Sequence, residues 1–79
     1  MIVEIRLFAG LAKHVKEQKN GEPFTIGLNQ GVTVRELLHL LKIPEQEAFV
    51  TLVNGTAVSK TTKLSDGDRI GIFPAIGGG

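Results

Sequence analysis

The sequence predicts an α+β fold in which a mixed four- or five-stranded sheet packs on one main helix. Three observations carry this. Short segments at 1–8, 22–28 and 69–73 alternate apolar and polar residues with the period of two that marks half-buried strands. A single stretch, 33–42, combines a capping signal with a strong helical stripe. Asn20-Gly21, Asn54-Gly55 and Asp66-Gly67 supply turn chemistry between the segments.

In residues 1–8 (MIVEIRLF), Val3, Ile5 and Leu7 face one way and Glu4 and Arg6 the other. Residues 9–17 have helical composition, with Leu11 and Val15 four apart. Gly10 and the short length limit that segment to one or two turns. After Asn20-Gly21, Phe24, Ile26 and Leu28 point inward while Thr25 and Gly27 point outward, and Pro23 suits a strand start or an edge. Thr33 and Glu36 are spaced as a capping box, each side chain reaching the other's backbone N–H. Val34, Leu37, Leu38 and Leu41 then form one apolar stripe, with Leu40 at its edge and Arg35, Glu36, His39 and Lys42 opposite. Pro44 disfavours helical backbone at Ile43, which predicts a helix end at about Lys42. Residues 48–53 (AFVTLV) read as a buried strand, and residues 56–59 as a brief return strand beyond Asn54-Gly55. A loop at 64–68 leads to the last strand, 69–73, with Ile70 and Ile72 inward, and Pro74 stops ladder pairing. One helix covers one face of such a sheet, and this element order is that of the β-grasp, or ubiquitin-like, arrangement. The expected division is a β-grasp domain at 1–74 and a flexible C-terminal Gly-Gly tail at 75–79.

Composition removes most other functions. Seventy-nine residues make one small domain that buries only about 60–65% of its unfolded surface. Without cysteine there is no disulfide, no thiolate nucleophile and no cysteine-based metal site. A net charge of +1, with both signs dispersed, offers no footprint for nucleic acid or an anionic membrane. No apolar run approaches the roughly 18 residues of a membrane span, and no signal peptide is evident, so the expected location is cytoplasmic. His14 and His39 read as solvated surface residues. Asp66 and Asp68 read as turn residues, since the remaining ligands of a calcium loop are missing, so no metal site is expected. There is no phosphate-binding loop and no nucleophile beside a base, which argues against catalysis by the chain itself.

The glycines do point to chemistry. Seven of the ten lie in the body, and the other three are Gly77, Gly78 and Gly79 at the end. Three residues without Cβ, extended over about 10 Å, can pass down a channel too narrow for side chains. They would deliver the Gly79 carboxylate to another protein's active site. Ionised carboxylate is a poor electrophile, so it needs activation by a partner, most simply as an acyl-adenylate made from ATP. A sulfur or nitrogen nucleophile can then displace AMP.

At Leu7-Phe8-Ala9, Val53-Asn54-Gly55, residues 64–68 (LSDGD) and Phe73-Pro74, followed by terminal Gly78-Gly79, the chain resembles the small sulfur-carrier subunit of molybdopterin synthase. Positions 12–13 read Ala-Lys where that family's first motif usually continues Arg-Glu. The resemblance implies adenylation of Gly79 by a ubiquitin-activating-type adenylyltransferase and conversion to a thiocarboxylate. Sulfur would then pass to a pterin precursor, with Gly77 and Gly78 threaded into the large synthase subunit. It implies no bound cofactor, ATP being used by the activating partner. The tail also resembles the sulfur carrier of thiamine thiazole synthesis, and the same activated end would serve a ubiquitin-like protein modifier. For docking, the sheet face away from the helix should carry Arg6, Thr25, Gly27, Arg69, Gly71 and Phe73, with Pro74 and Ile76 beside the departing tail. Small residues leave this face flat, and Phe73 anchors it.

Overall fold

A computed structural model describes residues 1–75, and the expectations for Ile76, Gly77, Gly78 and Gly79 lie outside the described residues. Strands β1 (Ile2–Leu7), β2 (Phe24–Gly27), β3 (Val50–Val53), β4 (Thr56–Val58) and β5 (Arg69–Phe73) form one five-stranded sheet in the order β2-β1-β5-β3-β4. The central pair, β1 and β5, is parallel; every other pairing is antiparallel. Helix α1 (Val34–Leu40) covers one face. This is the β-grasp, ubiquitin-like fold.

The alternation in the sequence becomes the layering of the molecule. Val3, Ile5 and Leu7 of β1 and Ile70 and Ile72 of β5 are buried against Val34, Leu37, Leu38 and Leu41. Each such side chain contributes roughly 1.5–3 kcal/mol of transfer free energy. The register Ile5↔Ile70 and Leu7↔Ile72 keeps the apolar sets of the two central strands on one side. Residues 9–17 yield a single 3-10 helix at Leu11–His14, in line with the weak helical signal. Asn54 and Gly55 both adopt positive φ between the paired Val53 and Thr56, which is how a two-residue hairpin turn follows the strand twist.

The capping box is complete. Glu36 N–H donates to Thr33 Oγ1 at 3.2 Å, and Thr33 N–H donates to Glu36 Oε1 at 3.0 Å. Those bonds, the backbone one foremost, hold the Glu36 carboxyl below the usual range. The helix stops at Leu40, two residues short of the end expected from Pro44. The stop is a left-handed cap: Lys42 has φ +59°, its N–H donates to His39 O, and Ile43 N–H donates to Leu38 O. Ile43 then buries itself under the helix. Lysine carries a Cβ penalty in that conformation, so Lys42→Gly should raise unfolding stability by about 0.5–1 kcal/mol in denaturant titration.

One strand differs from expectation. The run at 48–53 does not enter the sheet as a buried strand, since β3 begins only at Val50. Ala48 caps a 3-10 helix at Glu45–Glu47 and is buried, whereas Phe49 is 69% exposed. Beyond it, Thr51 is buried and Val50 and Leu52 are half-buried on the other face. The run is apolar except for Thr51, which is itself buried, so it carries no alternation that could announce which residues faced out.

Candidate functional site

The face away from α1 is assembled by register. Glu4 lies opposite Arg69, Arg6 opposite Gly71, and on the other side of β5 Leu52 lies opposite Gly71 and Val50 opposite Phe73. These positions alternate with the buried ones, so their side chains share the open surface. On the edge strand, Thr25 pairs with Glu4 and Gly27 with Ile2, extending the same face with small groups. Arg69, Gly71 and Phe73 therefore come together as expected.

Phe8 completes the face, and the sequence reading had not placed it there. Its N–H donates to Ile72 O at 3.1 Å, which continues the β1–β5 pairing one residue past the strand. Its ring lies on that of Phe73 with centroids 4.3 Å apart and planes 3° from parallel. The signal was available: Glu4, Arg6 and Phe8 follow the period of two on one side of β1. Such a pair is worth about 0.5–1.5 kcal/mol beyond the area it buries.

Gly71 makes room for this stack. A Cβ there would sit 3.3 Å from Phe73 Cε1 and 3.6 Å from Phe8 Cε2. Absence of that atom lets both rings lie low over the sheet. Beside them, Glu4, Arg6, Phe8, Leu52, Arg69 and Phe73 contribute to the lining of a cavity of about 380 Å³. Guanidiniums, an aromatic wall and aliphatic floor suit recognition. No nucleophile–base pair stands on this face.

The turn beneath β5 holds it in place. Asn54 Nδ2 donates to Asp68 Oδ1 at 2.9 Å, and Arg69 N–H donates to Asn54 Oδ1 at 2.9 Å. Asp66 Oδ1 accepts from Ile2 N–H and Asp68 Oδ2 from Ser65 N–H, each at 2.7 Å. Both carboxylates are thus engaged by backbone, as turn chemistry requires. Among the described residues no His, Cys, Asp and Glu side chains gather in threes as metal ligands. No helix among them is long and apolar enough to cross a membrane.

At the exit of β5, Pro74 and Ala75 border a second cavity of about 310 Å³ with Ala9, Lys13, Gln46 and Glu47. Pro74 thus stands on the rim of this second cavity. His14, expected as a solvated residue, is largely covered there, with a side chain 19% exposed and Nε2 2.9 Å from Glu47 Oε1. The fold swings the 3-10 helix at Glu45–Glu47 against the one at Leu11–His14, a contact between segments far apart in sequence. The hydrogen bond with His14 is the main cause holding the Glu47 carboxyl below its ordinary range, with charge from His14 and Lys13 adding to it. A carboxyl lowered by folding stabilises above its unfolded pKa, and that contribution is lost as pH falls through the folded value. Thermal unfolding followed from about pH 5 to about pH 3 should therefore show a decline that Glu47→Gln makes shallower.

His39 does remain exposed, with Nε2 3.3 Å from Glu45 Oε2. Leu40 is 59% exposed at the stripe's edge.

The ThiS family model matches residues 5–79, nearly the whole chain. Three solved structures show the same architecture at low identity. Subunit 1 or 2 in the molybdopterin-converting factor complex of Helicobacter pylori is 29% identical, with full coverage of both chains and a TM-score of 0.60. A protein assigned as molybdopterin converting factor subunit 1 of Pyrococcus furiosus is 26% identical, covering 96% of this chain and 99% of that one, with a TM-score of 0.70. The thiamine biosynthesis protein ThiS of Geobacter metallireducens is 25% identical over 96% and 99% of the two chains, with a TM-score of 0.59. No curated protein sequence matches significantly.

Proposed function

The chain belongs to the ThiS family of ubiquitin-like sulfur carriers, and we propose that it carries sulfur for molybdopterin synthesis. Small carriers of this type are generally non-catalytic. The proposed reactive group is the Gly79 carboxylate, threaded into partners by Gly77 and Gly78 with Ile76 beside them. In the cytoplasm, a ubiquitin-activating-type adenylyltransferase joins it to AMP from ATP and releases pyrophosphate. A sulfur nucleophile supplied by that system then displaces AMP, and the terminus becomes a thiocarboxylate with one oxygen replaced by sulfur. The large subunit of molybdopterin synthase receives the tail and passes the sulfur to a pterin precursor. Phe73, Arg69, Gly71 and Pro74 form the docking surface, with Phe8 added by the stack.

The observation that carries this reading is a flat aromatic face on the strand that precedes the glycine tail: β5 supplies Phe73, and Pro74 and the terminal glycines follow it in sequence. The likeness to the Helicobacter complex supports a large-subunit partner. Leu7-Phe8-Ala9 and Phe73-Pro74 support the pterin pathway. The likeness to the Geobacter protein favours a second reading, sulfur delivery to thiamine thiazole synthesis, which uses the same activation.

Intact-mass spectrometry tests the shared step. With ATP, the activating partner and a sulfur donor, one terminal oxygen should be exchanged for sulfur; an unchanged mass sinks the proposal. Incubating the thiocarboxylate with a synthase large subunit and pterin precursor, or with a thiazole synthase, then separates the two readings by which reaction regenerates the carboxylate. Higher-mass conjugates on a denaturing gel would instead identify a protein modifier.

A further inference from the structure

Among the described residues, the open face carries charge that no ion pair neutralises. The third arginine is matched: Arg35 Nε lies 3.0 Å from Glu45 Oε1. Arg6 and Arg69 are exposed, and among the described residues neither guanidinium makes an ion pair or hydrogen bond. Both line the larger cavity, together with Phe8, Leu52 and Phe73. Glu4 is the one carboxylate in that lining, opposite Arg69 in register and two residues from Arg6 on the same strand. One acid stands among two guanidiniums, so the cavity keeps a net positive charge. Opposite Arg6 is Gly71, which places no side chain beside that guanidinium.

The geometry points to an activating protein that presents an Asp or Glu carboxylate to Arg6 and Arg69 and an apolar side chain to the Phe8–Phe73 stack. This inference rests on the carrier reading, in which the activating protein is the first partner that must grip this face while it holds the tail. Planar guanidinium matches carboxylate in a two-bond fork, and the adjoining rings exclude water from the pair. Nucleic acid is a poorer match, because a net charge of +1 with both signs dispersed gives no basic stripe to follow successive phosphates. Charge at the margin of an apolar contact raises the association rate more than it slows dissociation. That suits a carrier which must find one partner quickly and then leave for the next.

The test is ATP–pyrophosphate exchange by the activating enzyme of the same organism, measured against carrier concentration. The variants are Arg6→Glu, Arg69→Glu, their glutamine counterparts, and Lys16→Glu as a control for net charge. Each reversal should raise the KM for the carrier on the order of tenfold with kcat unchanged, glutamine giving a smaller rise and Lys16→Glu little. Added salt should raise the wild-type KM and leave that of the double reversal nearly level. If the reversals match Lys16→Glu, or if salt leaves the wild-type KM unaltered, the inference is overturned while the carrier reading stands. If the wild-type chain supports no exchange at all, the carrier reading fails and takes the inference with it.

Discussion

Deletion of Gly79 should abolish activation of this protein while leaving its fold unchanged. The described core closes with Ile72, so no buried apolar group of the core is removed. What changes is position. The terminal carboxylate retreats by one residue, about 3.3–3.6 Å, in a partner's site where reacting atoms must approach to about 3–3.5 Å. Misplacement by about 1 Å already costs on the order of a hundredfold, so a full residue should lower kcat/KM for adenylation by more than about a thousandfold. Thermal unfolding of the shortened chain should overlay that of the parent. Retained pyrophosphate exchange would show that the tail is incidental and that this domain works as a binding module.

The second large effect is expected at Gly71. A leucine there places its side chain in space now bounded by Phe73 and Phe8, where even a Cβ would meet Phe73 Cε1 at 3.3 Å. The rings must lift or part, and the flat face becomes a ridge. Folding should suffer little, because leucine suits a strand better than glycine and the rings can yield toward solvent. Docking should suffer much more. Loss of a central aromatic anchor costs about 2–4 kcal/mol at an interface, so the KM for the carrier should rise about a hundredfold. Gly71→Ala asks the Phe73 ring to shift by only a few tenths of an ångström and should fall between. If Gly71→Leu docks as tightly as the parent, the stacked face is not the contact surface. A loss of docking matched by a fall in thermal stability would instead indicate a folding effect.

The difference between these two sites tracks how information is stored in the chain. Strand alternation at Val3, Ile5 and Leu7, the Thr33–Glu36 box, and the Asn54-Gly55 turn act over a few residues, so each was legible locally and each is present. The glycine tail was legible for the same reason: its meaning lies in composition and position. The Phe8–Phe73 stack was not, because it joins positions far apart in sequence and depends on β1 and β5 lying side by side. Gly71 read as a small outward residue, but its task of leaving space beneath two rings belongs to that same pairing. His14 read as solvated because nothing near it shows that Glu47 will arrive. The early helix stop was hidden as well, since lysine is not the residue a left-handed cap favours.

From the sequence alone came the β-grasp order of elements, the buried faces of β1, α1 and β5, and a terminus without side chains on which activation chemistry could act. These depend on periodicity, capping and turn preferences, which are short-range. Tertiary structure alone decided which outward residues meet: the phenyl stack over Gly71, Glu4 set opposite Arg69, and the exposure of Phe49. Those depend on strand register across the sheet, and register arises only when the whole apolar set is buried together.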